Sequence, residues 1–422
     1  MCGFYFSNRH PETDWTFDDV TQRGFKSATF TGDDYFAIQS VLPCVNTIDF
    51  SLYDTPNYLF LYTGEIYNYN RSYNSDTEMM LNDLMNNRSI SSYNGMYAYV
   101  LYDKKKKEIK YGRDKTGQIP LFVYNKNGHI VISNTVKSIV KTTDTSINYN
   151  SLDLWKTSKH FIFKETPWND IYSVTPASTE SCYSNLTVEQ AFTDMQHEYT
   201  SAMPSASINS GGIDSSIVSK WFGNFQIAIN HIGKDFVSNH LDFAIDISEQ
   251  QWCEYVDQFI EETYLFPYTW SWIGYYIIGK KLKGKFNILY TGEGADEIFG
   301  GYPDYQKGIR TPYSKPFIVD KNNLLISNKA CDQKYFIPTA AMGANIALGC
   351  STIEPRSPFL DRRIMNNQDF LYEDNKQTLR EYYTHLYNIE PAPKQGFGGF
   401  PDEYGKNLTW KDACFTVLAT KA

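Results

Sequence analysis

Several common signatures are missing from these 422 residues. Cysteine is sparse, seven residues with no C-x-x-C pair, so neither a disulfide scaffold nor a structural zinc site is expected. The seven histidines are scattered and none falls in H-E-x-x-H spacing, which removes the usual helix-borne zinc centre. No apolar leader opens the sequence and no apolar run approaches the length of a membrane span. A reducing, cytoplasmic setting without a membrane partner is the expectation. A global positive field is also lacking. The net charge is -9, and nucleic acid is not an expected partner. The one basic run, "KKKKE" at Lys104 to Glu108, lies between two strand-like segments and reads as a solvated hairpin turn. Internal repeats and low-complexity tracts are absent.

The length is too great for one ordinary core, so two domains are expected. Hydrophobic residues make up 42% and charged residues 21%, the balance of a folding chain. The 33 tyrosines and 27 phenylalanines read as apolar payload for cores and crevices. Up to about Ser184 the sequence is a series of short strands broken by Gly, Asn and Asp, such as "YLFLYTGEIYNYN", "GMYAYVLYD" and "GHIVISN". Asn127-Gly128 marks a hairpin, and Thr77 to Asn87 has the apolar spacing of a helix. This half is α+β, with sheets built from hairpins. A cluster of Pro, Ser, Thr and Asn in "TPASTESCYSNLT" is a linker or domain edge. From Thr187, a capped helix start, the pattern changes: "SASIN", "FQIAINHI" and "KFNILYTG" read as strands alternating with helices. That alternation predicts a parallel sheet covered on both faces, with ligands at the carboxyl ends of its strands. "WIGYYIIG", Trp272 to Gly279, reads as buried helix, and Asp320 to Gln333 is the least patterned stretch, expected to be a mobile loop.

Two glycine-lined joins carry the chemistry. In "SINSGGIDSSIVSK", Ser207 to Lys220, a strand passes into a helix through Ser210, Gly211, Gly212, Ile213 and Asp214. Glycines let an anion approach backbone N–H groups, and a helix start adds unsatisfied donors. Ser210 and Ser215 can add hydroxyls. The alternative is a plain tight turn with an N-cap. Asp214 would repel a bare phosphate, and Mg²⁺ is the simplest reason for its presence. The second join, "LYTGEGADEIFGGY", places Glu293, Asp296 and Glu297 close together, and such crowded acids need a cation or a basic partner. Asp296 is the companion of Asp214 for Mg²⁺. Glu293 can orient a nucleophile or take its proton. A solvated acidic helix start accounts for Glu297 but leaves the glycines unexplained.

Together with "IEPRSPFLD" (Ile353 to Asp361) and "PKQGF" (Pro393 to Phe397), these stretches resemble the asparagine-synthetase family of class II glutamine amidotransferases. The resemblance runs over nearly the whole chain. It implies an α+β N-terminal nucleophile domain of stacked antiparallel sheets, residues 1–184. After it comes an α/β ATP pyrophosphatase domain, residues 185–422, with a parallel sheet of the adenine-nucleotide alpha-hydrolase type. ATP and pyrophosphate contacts are implied for Ser210, Gly211, Gly212, Asp214, Ser215, Thr291 and Gly292, with Mg²⁺ on Asp214 and Asp296. Catalytic roles fall to Cys2, Glu293 and Lys394. Arg356 pairs with a phosphate or with an acid such as Glu354. In the implied reaction a carboxylate attacks the α-phosphorus of ATP, pyrophosphate leaves, and an amine captures the acyl-adenylate. Expected partners are glutamine, ATP and a carboxylate acceptor, with aspartate the first to try and a homodimer left open.

The start "MCGFYF" is similar to the family's mature start. Removal of Met1 would give Cys2 a free α-amine of pKa about 7.7–8, a base built into the nucleophile. "YTGEIYN" and "NSDTE" match the glutamine-binding segments through Thr63, Gly64, Glu65 and Asp76. Three departures stand out. The family's oxyanion Asn is Thr63 here, whose shorter hydroxyl weakens stabilisation. The Arg that holds the glutamine carboxylate is missing from "FAIQSVLP", and "RGPD" has become "RGFK", leaving Arg23 or Lys26 to compensate. A glutaminase domain intact in fold and altered in efficiency or donor is therefore expected. The second part is short for an asparagine synthetase, which points to a simplified or specialised acceptor pocket. Two other readings stay open: an amide-forming cyclase resembling β-lactam synthetases, and a non-catalytic protein on the same fold.

Overall fold

The structure, a computed structural model, describes residues 2–43, 50–158, 164–177, 184–230, 241–306 and 323–391. Its N-terminal half holds two antiparallel sheets. One runs β2(Lys26–Gly32), β3(Tyr35–Val41), β1(Gly3–Ser7), β8(His129–Ser133), β7(Phe122–Lys126), β9(Ile171–Ser173). The other runs β4(Tyr58–Ile66), β5(Gly95–Asp103), β6(Glu108–Arg113). The period-2 alternation of β1 explains how they stack. Phe4 and Phe6 face Leu59, Leu61, Met96, Ala98 and Val100 of the smaller sheet, while Tyr5 enters a different cluster. The outer face of β4 and β5 is covered by the helix Asp76–Met85, through Met79, Met80 and Leu84. Ser75 caps that helix by accepting the Glu78 N–H (3.1 Å). Asn127 and Gly128 both take positive φ in the β7–β8 hairpin, and Asp103 pairs with Glu108 across the lysine turn.

The C-terminal half is built on a parallel sheet, in the order β12(Phe243–Asp246), β11(Gln226–Asn230), β10(Ser205–Ile208), β13(Ile288–Tyr290), β14(Glu354–Arg356). Trp272 to Gly279 is buried within the helix Trp270–Leu282, which packs against Ile337–Gly349. One apolar cluster runs from Tyr5, Phe122 and Val131 through Trp155 and Trp168 to Trp272 and Leu348, so the two halves share a core. Trp168 also donates its indole N–H to the Tyr264 carbonyl (2.8 Å).

The expected mobile loop is instead a helix, Leu324–Cys331, followed by a turn of wider pitch, Asp332–Phe336. Residues 320–322 of that stretch lie outside the described residues. Periodicity did not reveal the helix because its buried face is polar. Asn328 donates to the Tyr305 carbonyl (2.9 Å), Asp332 accepts from the Tyr305 hydroxyl (2.9 Å), and Lys329 is buried among backbone carbonyls.

Candidate active sites

In the parallel sheet the chain moves from β10 outward to β11 and β12, then returns to β13 and β14 on the other side. The crevice between the carboxyl ends of β10 and β13 is thus the topological switch point, where such sheets bind ligands. Both glycine-lined loops leave from there. After β10, Gly211 takes φ +71° and Gly212 precedes the helix Ile213–Phe222. Asn209 Oδ1 accepts from the Gly211 N–H (3.0 Å), and Ser215 Oγ from the Ser210 N–H (3.0 Å). Among the described residues, a Cβ on Gly212 would meet nothing closer than Ser210 Oγ at 3.5 Å. After β13, Gly292 brings the second loop against the first, for a Cβ there would sit 3.0 Å from Asp214 Cβ and 3.1 Å from the Ser215 nitrogen. The hydroxyl of Thr291 lies 2.8 Å from that of Ser357.

This contact sets Asp214 and Asp296 around one point. Lys376 occupies it, with its Nζ 2.7 Å from Asp296 Oδ1 and in ion-pair contact with Asp214 Oδ2. Burial works to lower the Lys376 pKa, but the two carboxylates overcome it and hold it above the ordinary lysine value. Two carboxylates converging on a cationic group form a donor set suited to Mg²⁺, which binds one or two carboxylates and completes its shell with phosphate oxygens and water. Among the described residues no cluster of three or more His, Cys, Asp or Glu forms a metal cage. Glu293 accepts from the Tyr275 hydroxyl (2.5 Å). Burial raises its pKa, the tyrosine bond opposes this, and Asp296 and Asp214 add to the rise. Glu297 is not the solvated acid expected: it is 4% exposed, accepts from Tyr302 (2.6 Å), and is pushed up to about 8 by burial and by Asp296.

Arg356 answers acids from both halves. Its Nε donates to Glu354 (3.0 Å), its guanidinium also pairs with Glu65, and it reaches the Tyr199 carbonyl. Glu65, expected at the glutamine site, is therefore part of the junction between halves, its pKa pushed up to about 8 by burial against the pull of Arg356. Asn94 to Asp361 (2.7 Å) and the stacked rings of Tyr67 and Tyr199 (3.9 Å) continue that junction.

In the antiparallel half, Cys2 stands at the head of β1. Its Sγ accepts from the Leu42 N–H (3.3 Å), and burial pushes the thiol up. Thr63 donates its hydroxyl to the Cys2 carbonyl (2.9 Å), which also receives Arg23 Nε (3.2 Å). Arg23 extends to Asn345 in the other half (2.6 Å), and Lys26 is exposed on β2. Gln39, in the segment without an arginine, bridges the backbones of Gly3 and Tyr62. Gly64 has φ +122°, and a Cβ there would lie 2.0 Å from the Met96 carbonyl oxygen, so only glycine fits. Asp76 accepts from the Tyr62 hydroxyl (2.7 Å) and the Ile66 N–H (3.0 Å), and burial raises its pKa. Lys394 lies outside the described residues. Lys376 and Tyr275 escaped the sequence reading; the first sits in an unpatterned loop and the second is hidden in an apolar run.

This architecture is that of an enzyme joining a glutamine amidotransferase domain to an ATP pyrophosphatase-type synthetase domain. The glutamine amidotransferase domain family model matches residues 52–193, and the asparagine synthase model matches residues 195–329. The chain is 25% identical to asparagine synthetase [glutamine-hydrolyzing] 1 of Bacillus subtilis, over 92% of this chain and 71% of that protein. It is 25% identical to asparagine synthetase B [glutamine-hydrolyzing] of Escherichia coli, over 77% of this chain and 63% of that one. A putative asparagine synthetase of Methanocaldococcus jannaschii is 23% identical over 62% of each chain. The chain thus carries a glutamine amidotransferase domain followed by an asparagine synthase domain, the arrangement of class II glutamine amidotransferases with an ATP pyrophosphatase-type synthetase domain. It spans roughly two thirds of these relatives' length.

Proposed function

We propose that the protein is an ATP-dependent amidotransferase that converts a small carboxylate, with aspartate the first candidate, to its amide. The observation that carries this reading is the convergence of Asp214 and Asp296 on one cationic position at the switch point of the parallel sheet. The loop of Ser210, Gly211 and Gly212, with Ser215, Thr291 and Gly292, lines the place for the ATP phosphates. Asp214 and Asp296 would hold Mg²⁺, which when bound offsets charge on the leaving pyrophosphate. The acceptor carboxylate attacks the α-phosphorus, and the acyl-adenylate forms as pyrophosphate departs. Lys394 is assigned from sequence alone as the further cation for that charge.

Glu293 faces the second step. A carboxylate with a raised pKa is a stronger base, and it can take the proton that the attacking amine loses as AMP leaves. Ammonia for that attack comes from glutamine: Cys2 Sγ adds to the carboxamide carbon, ammonia departs, and water releases glutamate. Gly64 and Asp76 are assigned to glutamine. Thr63 and Glu65, assigned there by resemblance, are engaged with the Cys2 carbonyl and Arg356. That engagement favours a second reading, in which an amine of the acceptor itself closes on the adenylate and glutamine is dispensable.

One assay separates the readings. Protein, Mg-ATP and candidate carboxylates are incubated with glutamine, with ammonium, or with neither, and pyrophosphate and product mass are followed. The proposal expects amide and AMP with either nitrogen source, and loss of glutamine dependence alone in Cys2→Ala. AMP formation indifferent to both sources supports the cyclase reading. An absence of pyrophosphate with every acceptor removes both.

A further inference from the structure

Lys376 belongs to none of the glycine-lined motifs, yet its ammonium sits at the position assigned to magnesium. Several contacts fix it there. Asn375 and Lys376 take φ 52° and 56°, a pair of left-handed residues just before the helix Gln377–Tyr387. Their N–H groups donate to the carbonyls of Gly300 (2.8 Å) and Phe299 (2.9 Å), on the chain that leaves Asp296. From the other side, Lys329 Nζ donates to the carbonyls of Phe370 (2.7 Å), Leu371 (3.1 Å) and Glu373 (2.8 Å), tying down the approach to Lys376. The lysine stem crosses Gly301, where a Cβ would lie 2.2 Å from Lys376 Cε and 2.0 Å from Asp296 Oδ1. Non-glycine residues in left-handed geometry cost energy and persist only where the surroundings hold them.

The electrostatic consequence concerns the order of binding. A bare divalent ion at Asp214 and Asp296 must expel the ammonium, leave it buried without these two partners, and give up hydration in exchange for their carboxylates. An ion arriving with ATP brings phosphate oxygens for its own shell and anions that can receive the displaced lysine. We infer that Lys376 is a built-in counter-ion that closes the site to free divalent cations and makes metal uptake depend on nucleotide. The inference rests on the reading of Asp214 and Asp296 as magnesium ligands.

Binding of Mn²⁺ to the full chain, followed by the electron paramagnetic resonance signal of the free ion, tests it with and without α,β-methylene-ATP. Wild-type protein is expected to leave millimolar Mn²⁺ free and to take up one ion per chain once the analogue is added. Lys376→Met is expected to bind Mn²⁺ without nucleotide about 100-fold more tightly than wild type, given the Coulomb energy of one unit charge at contact. Lys376→Arg, which keeps the charge, should track the wild type. Micromolar binding of Mn²⁺ by nucleotide-free wild type overturns the inference, whatever the variants do. Nucleotide-free binding by Lys376→Met that is no tighter than wild type's overturns it as well. Failure of wild type to bind Mn²⁺ with the analogue present overturns the ligand assignment beneath it, as does unchanged uptake by Asp296→Asn.

Discussion

In the parallel-sheet half, Asp214 and Asp296 reach one position from two loops and meet there on the Lys376 ammonium. In the antiparallel half, polar side chains near Cys2 are turned to structural partners. Thr63 and Arg23 serve the Cys2 carbonyl, Gln39 serves two backbones, and Glu65 serves Arg356. At one site charged side chains pair with one another across a single position, the arrangement proposed above to receive a substrate, whereas the other has committed much of its hydrogen bonding to holding the strands and the second half in place. A site of the first kind loses chemistry when a residue is changed. A site of the second kind loses stability, or gains chemistry when the right donor is restored.

The largest effect is expected where the halves meet. Arg356→Met leaves Glu65 and Glu354 buried without their cation, and should cost about 3–5 kcal/mol, the scale for breaking a buried pair. Denaturant titration reads this, and a change under about 1 kcal/mol would mean the junction is well solvated. Next comes the contrast within the Cys2 site. Thr63→Asn supplies an amide donor in place of a hydroxyl engaged by the Cys2 carbonyl, and should raise glutamate release from glutamine about tenfold, within the range for one preorganised donor. An unchanged rate would show that the donor at position 63 does not limit glutaminase activity.

Tyr275→Phe tests the charged site on the other side. The tyrosine hydrogen bond lowers the Glu293 pKa, so its loss should move the acid limb of the pH–rate profile for amide formation upward, by about 0.5–1 unit for a bond worth about 1 kcal/mol. A profile that stays put would remove Glu293 as the base. The smallest effect concerns Glu297, whose pKa is raised from 4.5 to about 8 on folding. The folded chain then holds a proton the unfolded chain has lost, so its contribution is full below pH 4.5 and falls as pH rises to about 8. Glu297→Gln should flatten that decline in thermal stability across this window, and an identical slope in both proteins would contradict the burial argument.

The same contrast explains what was legible in the sequence. Alternation of strands and helices after Thr187 gave the parallel sheet, and hairpin signals such as Asn127-Gly128 gave the antiparallel one, because both rest on local geometry. The two glycine-lined loops were visible because small residues beside acids have few structural uses. Lys376 was not, since an isolated lysine acquires meaning only when a left-handed turn delivers it to two distant carboxylates. The helix Leu324–Cys331 was missed because it buries Asn328 and Lys329 against carbonyls, a pattern no hydrophobic period can report. Arg356 was seen, and its pairing with an acid foreseen, but sequence spacing alone could not name Glu65, 291 positions away.

The central claim is that Asp214 and Asp296 act as one unit on one Mg-ATP. Pyrophosphate release should be measured in wild type, Asp214→Asn, Asp296→Asn and the double variant, at saturating acceptor and ammonium. Each single change should cost about 100-fold or more, and the double should cost little beyond either alone, since groups acting as a unit are non-additive. Losses that multiply in the double variant, or a single variant with near wild-type release, would contradict it.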